Sequence, residues 1–183
     1  LKDLISKSDG KPIIFKFIDY LKKFTDDIIL KTISDLEAFL KEQAIMISED
    51  DPRSFLNWDE VNSINEPDIS FGSHTVNHPI LTNEQTNVIE DEICRSKEII
   101  EKETGRRVLH FCYPNGNYNE EIRRIASESY KSACTTRSGF VSKNSDILSL
   151  NRIGINEEMV SGWRGNFSKY VFTFSLFLES IRR

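Results

Sequence analysis

His74 and His78 stand four residues apart in SHTVNHPILT, residues 73–82, in a chain with three histidines. Two imidazoles at this separation can turn the same way from one helical turn or from a tight loop, and both can then reach one divalent ion at about 2.0–2.1 Å. Spacing alone fits a hydrogen-bonded structural pair as well, so both readings stand at this point. A catalytic zinc takes three protein ligands and a water, so the metal reading demands a carboxylate or a third imidazole from elsewhere in the fold. The helical protease pattern HExxH is excluded, because Thr75 follows His74 and Asn77 precedes His78. The third histidine, His110, alternates with apolar neighbours in VLHFCY, which predicts a satisfied structural histidine on a strand.

The elements that must carry the pair read as α/β. Apolar residues at helical spacing over 12–45 predict two helices or one bent helix, followed by a boundary at SEDDPRS. Asn57 with Glu60 three residues later predicts a capped short helix in WDEVNSIN. DISFG reads as a short strand ending at Gly72, which delivers His74 and His78 to a strand end or loop. Thr82 with Gln85 reads as a capping box, opening a helix with Ile89, Ile93, Ser96 and Ile100 on one face and Gly105 as its stop. VLHFCY predicts the next strand, PNG its turn, and Asn119 the cap of the helix EEIRRIASES. KSACTT and ILSLNRIGI follow as strand candidates, an alternation that builds parallel sheets with crossover helices. The tail SKYVFTFSLFLESIRR carries both strand and helix spacings and is expected to be a packed terminal element.

Bulk properties narrow the function classes. A length of 183 residues suits one core, and 38% hydrophobic with 29% charged residues fits a soluble folded domain. No stretch approaches the roughly 18 apolar residues of a membrane span, so no integral membrane segment is expected. A net charge of −5 without a Lys/Arg cluster argues against nucleic acid. Cys94, Cys112 and Cys134 show no CxxC spacing, which predicts reduced, half-buried thiols. Leu1 is not an initiator methionine and no signal-peptide pattern follows it. The chain is therefore expected to continue upstream, and its compartment is unreadable.

LNWDEVNSINEPDISFGSHTVNHPILT, followed about 30 residues on by HFCYPNGNYN, resembles the polysaccharide deacetylase family, the NodB-homology or carbohydrate esterase family 4, over roughly residues 55–155. The resemblance implies a fragment of a distorted (β/α) barrel with an N-terminal helical insertion. Residues 1–55 would be the insertion packed on the barrel, and 56–183 the C-terminal part of the catalytic domain, one domain overall. In that family a histidine pair in SHTxxHP and an aspartate bind a divalent metal, commonly zinc, which activates water to remove acetyl from a sugar. His74 and His78 match the pair, with Thr75 and Asn77 as candidates for orienting the rings. YPNG, Tyr113 to Gly116, matches the family's groove-wall motif in its FAYPxG form, with Cys112 where a small residue stands. The match makes the backbone N–H of Asn115 the donor to the oxyanion and assigns Tyr113 and Pro114 to substrate contact. Arg137 in TTRSG and Arg152 in LNRIGI lie where family members carry similar strings, so they are expected to contact sugar hydroxyls or carboxylates, with surface salt bridging as the alternative. Other members carry an arginine in that motif that orients the catalytic aspartate, and this chain has none.

Two family motifs are absent. The TFDDG motif that supplies the aspartate base and the metal-binding aspartate has only FTDD, Phe24 to Asp27, as a counterpart, and helical apolar spacing runs through it. Asp26 and Asp27 are expected on a solvated helix face, and the true motif upstream of Leu1. No histidine follows His110, so the LxH motif and the general acid are unassigned. The resemblance implies a metal-dependent hydrolase acting on the acetyl groups, N-acetyl foremost, of a polysaccharide or glycan precursor, with a divalent ion, zinc the leading expectation. O-deacetylation is separable only by assay. The alternative is a catalytically incomplete carbohydrate-binding or scaffold module that keeps the fold.

Overall fold

Apolar spacing over the first described segment resolves into two helices, α1 (Ile13–Leu21) and α2 (Asp26–Glu42), in a computed structural model that describes residues 13–42, 55–64, 69–162 and 165–181. The SEDDPRS boundary lies outside these residues. Asp26 and Asp27 open α2, where carboxylates face the positive end of the helix dipole. The short helix α3 (Trp58–Ser63) starts as its sequence predicts. Glu60 N–H donates to Asn57 Oδ1 at 2.9 Å, and Asn57 N–H donates to Glu60 Oε2 at 2.8 Å.

Three strands, β1 (His110–Cys112), β2 (Ser132–Ser138) and β3 (Leu150–Arg152), form a parallel sheet in the order β1-β2-β3. The chain segment before the histidine pair joins its outer edge at one parallel bridge, Ser73 to Phe111. Ser73 N–H donates to His110 O and Cys112 N–H to Ser73 O, both at 2.9 Å. Residues 69–72 form no strand, and the chain meets the sheet one residue later at the Ser73 bridge, while VLHFCY and ILSLNRIGI contribute three strand residues each.

The helices α4 (Thr86–Thr104) and α5 (Glu120–Ser129) are the crossovers before β1 and β2, and they pack on each other. This is α/β architecture, part of a distorted (β/α) barrel. Gly105 ends α4 in the left-handed conformation, φ 66°, and Asn119 caps α5 through Ile122 N–H at 2.9 Å. The Thr82–Gln85 capping box does not form. Residues 81–83 make a 3₁₀ turn that buries Leu81, and α4 begins at Thr86 with Gln85 in the cap position making no side-chain bond. The tight turn takes the backbone that the box would have used.

Ile89, Ile93, Phe111, Tyr113, Ile122 and Ala133 lie in one core between helices and sheet. Each large side chain buried there contributes about 1.5–3 kcal/mol. Strand alternation sends Phe111, Ala133 and Thr135 into this core, and turns His110, Cys112, Ser132 and Cys134 to the more open face. The tail is helical: α7 (Lys169–Ile181) follows the one-turn α6 (Glu157–Val160) and packs against it. Val171, Phe172, Ser175 and Leu176 form its half-buried face.

The α1–α2 pair is tied to the rest of the fold by polar bonds to the turn before α4. Asn83 Nδ2 donates to Lys22 O at 2.9 Å and Phe24 O at 3.0 Å, and Asp26 N–H donates to Glu84 Oε1 at 2.7 Å.

Candidate active site

The bridge at Ser73 fixes the backbone one residue before His74, so the first imidazole leaves a paired segment at the C-terminal end of β1. Its Nδ1 lies 2.7 Å from Cys112 O. A carbonyl can only accept, so Nδ1 carries the proton and the Nε2 lone pair is left for a ligand. The His78 ring meets the His74 ring edge-on, with centroids 4.7 Å apart and planes at 78°. Both histidines are exposed.

The loop between them is held in an unusual conformation. Thr75 has φ 69° and His78 φ 61°, and Asn115 in the YPNG turn has φ 55°; among the described residues these three are the non-glycine residues with positive φ. Such conformations persist only where the surroundings impose them. His78 N–H donates to Thr75 Oγ1 at 3.0 Å. The main clamp is Glu92 on α4, 4% exposed. Its Oε2 accepts from Val76 N–H at 2.8 Å and Asn77 N–H at 2.9 Å, and its Oε1 from Asn77 Nδ2 at 2.7 Å. Beneath the loop, the buried Ser73 and Ser96 hydroxyls lie 2.6 Å apart, and Ser96 Oγ donates to Ile93 O at 3.0 Å. Sequence reasoning missed Glu92. Its signal was a carboxylate on the face that Ile89, Ile93 and Ser96 bury.

YPNG forms a 3₁₀ turn over Pro114–Gly116. The Tyr113 and Pro114 side chains are buried in the core. Tyr113 OH donates to Leu148 O at 2.9 Å, and burial pushes its hydroxyl well above the ordinary tyrosine range. These two side chains anchor the turn and present Asn115 at its exposed tip. Gly116, φ 76°, sits so close to β2 that an added Cβ would lie 2.2 Å from Thr136 Oγ1 and 2.6 Å from Thr136 N.

Arg137 is exposed on β2; its Nη2 donates to Tyr118 OH at 2.6 Å and its guanidinium lies 5.5 Å from the centre of that ring. With Thr82, Gly116, Asn117 and Asn119 it lines an open depression of about 570 Å³ beside the YPNG turn. Arg152, exposed on β3, lies near Cys112. Burial, and then Cys134, push the Cys112 thiol up, and Arg152 opposes them. His110 Nδ1 is 2.8 Å from Ser132 Oγ, a satisfied strand histidine on the open face.

Asp26 is not fully solvated. Burial raises its carboxyl above the ordinary range, reinforced by Glu92 and Asp27, and burial likewise raises Glu84. Asp27 is exposed and held low by the Thr25 hydroxyl. Among the described residues no group of three or more His, Cys, Asp or Glu is placed to hold a metal ion. Two neighbouring exposed imidazoles, the His74 ring with its tautomer set by Cys112 O, suit a divalent ion as two of its ligands.

The sequence matches the family model for polysaccharide deacetylase over residues 26–130, more than half of the chain. The chain belongs to the polysaccharide deacetylase family. The polysaccharide deacetylase YxkH of Bacillus subtilis (strain 168) is 26% identical over 105 residues, 57% of this chain and 38% of YxkH. Among solved structures, the Streptococcus pyogenes deacetylase PplD in complex with acetate matches with a TM-score of 0.54 and 34% identity, covering 57% of this chain and 46% of PplD. BC0361, a polysaccharide deacetylase from Bacillus cereus, matches with a TM-score of 0.50 and 28% identity, covering 54% of this chain and 32% of BC0361. The chain spans less than half the length of each of these relatives. Its family-matched region contains the histidine pair, the Glu92 clamp and the YPNG turn. Among the described residues, no helix of this deacetylase-family chain is long and apolar enough to cross a membrane.

Proposed function

We propose that this chain carries the histidine half of the active site of a metal-dependent deacetylase that removes acetyl groups, N-acetyl foremost, from a polysaccharide or glycan precursor. The observation that carries the reading is the His74 ring, aimed through Nδ1 by Cys112 O, beside His78 on a loop of forced geometry. His74 and His78 would hold the ion, zinc by preference for imidazole with carboxylate. When bound, a divalent ion supplies Lewis acidity that makes water a nucleophile near neutral pH.

The chain's own residues do the rest. Glu92 keeps the 76–77 backbone in place, so the imidazoles need not reorganise when a ligand arrives. The Asn115 N–H, at the exposed tip of a turn anchored by Tyr113 and Pro114, donates to the oxygen that gains charge as the acetyl carbonyl is attacked. Arg137 and Arg152 offer guanidinium donors to sugar hydroxyls or carboxylates from neighbouring strands. The described helices α1 and α2 would belong to a helical insertion on the barrel. The TFDDG string that holds the base and the third ligand in this family is not in this sequence. PplD, a deacetylase whose structure holds acetate, supports the acetyl group as the piece removed.

The test is zinc binding, by calorimetry, to the chain and to His74→Ala, His78→Ala and the double variant, with circular dichroism to confirm folding. Zinc affinity falls in each single variant and is lost in the double. Equal affinity in the double variant and the parent overturns the metal site. The rival reading is a non-catalytic carbohydrate-binding or scaffold module that keeps the fold. That reading requires acetylated oligosaccharide to bind equally with zinc or with chelator, and no acetate to be released.

A further inference from the structure

Cys112 and Cys134 are direct partners in the parallel register of β1 and β2. Their neighbours Phe111 and Ala133 are buried under the helices, so strand alternation places both thiols together on the opposite, more open face. Both are free and half-buried. Adjacent strands run about 4.7–4.9 Å apart, inside the window of about 4.4–6.8 Å between Cα atoms that a disulfide spans. Cβ atoms on neighbouring strands stand wider than the roughly 3.8 Å of a relaxed disulfide. A bond between them therefore draws the strands together, and a strained disulfide is readily reduced. Cys94 is elsewhere, on α4, with Ser129 Oγ at 3.5 Å.

We propose that Cys112 and Cys134 are a reversible disulfide-forming pair on the floor beside the histidines, closed by exchange with a small disulfide of the glutathione type. One protein thiolate attacks a sulfur of the oxidant and expels one glutathione thiol, leaving a mixed disulfide. The second protein thiolate attacks the protein-bound sulfur of that intermediate, forms the Cys112–Cys134 bond and expels the other glutathione thiol. The protein loses two electrons and two protons, and the oxidant is reduced to two thiols. Cys112 O is the acceptor for His74 Nδ1, and Cys112 N–H donates to Ser73 O, so closure of the pair pulls on the backbone that aims the ring. The inference holds with or without a bound metal and does not depend on the deacetylase reading.

The folded chain, carrying Cys94→Ser to remove the third thiol, is incubated with oxidised glutathione and followed by intact mass and peptide mapping. The expected product is lighter by about 2 Da than the reduced chain, gives a linked peptide joining residues 112 and 134, and reverts with dithiothreitol. Cys134→Ser in the same background stops at a glutathione adduct. Accumulation of glutathione adducts alone in the chain with both cysteines, or an unmodified chain under conditions that link the two thiols when it is unfolded in urea, overturns the pair.

Discussion

Glu92 and Asn77 meet twice, the carboxylate accepting from the Asn77 backbone N–H at 2.9 Å and from its side-chain Nδ2 at 2.7 Å. A charged group 4% exposed is costly to bury, and here that cost is offset by bonds to a loop that would otherwise relax. Helix α4 thereby sets the shape of the segment between the two histidines.

Glu92→Gln puts an amide donor where the loop also presents donors. Urea unfolding is expected to show a loss of about 1–3 kcal/mol, and calorimetry a zinc affinity weaker by about 10–100-fold. A variant with the parent's unfolding midpoint and zinc affinity would show that the clamp is idle.

Asn115 holds φ 55°, which glycine adopts freely and β-branched residues resist. Asn115→Val should cost about 1–2 kcal/mol in urea unfolding, while Asn115→Gly should match or slightly exceed the parent. The glycine variant keeps the backbone N–H, so acetate release should stay near the parent rate. A large loss with glycine would assign the role to the side chain instead.

Gly116→Ala drives a methyl group into Thr136, at its hydroxyl and at its backbone nitrogen. Thermal unfolding should show a loss of about 2 kcal/mol or more. Adding Thr136→Ala should not restore it, because the nitrogen remains in the way. Full rescue by that second change would mean that the side chain alone made the constraint.

Asp26 provides a pH signature. Its folded-state pKa is raised from the ordinary 3.8, first by burial and then by Glu92 and Asp27. The folded chain therefore holds this proton more tightly than the unfolded chain. The associated stability is fully present below the ordinary value and is lost as pH rises through the folded-state pKa. Asp26→Asn should thus melt higher than the parent at pH 7, with the gain vanishing near pH 3.8 and below. A variant that melts lower than the parent at pH 7 would sink the argument.

What could be read in the sequence was what local rules decide. Asn57 and Asn119 cap their helices through residues three positions on, and Gly105 ends α4 on its own conformational freedom. Thr82 and Gln85 fit the same cap pattern and failed, because the burial of Leu81 drew the backbone into a 3₁₀ turn first. The ambiguous tail became helix α7 because a helix gathers Val171, Phe172, Ser175 and Leu176 on one face against α6. Glu92 was harder to see, since its partners Val76 and Asn77 lie 16 and 15 residues away and only the tertiary fold brings them together. Asp26 read as solvated for a similar reason, because its neighbour Glu84 is 58 residues on.

The acceptor that aims His74 is a main-chain oxygen, and every amino acid carries one. Position 112 can therefore change its side chain without giving up the ring's tautomer. Drift there is unconstrained by the imidazole, and a thiol could be acquired at that point without any intermediate that loses the histidine's orientation.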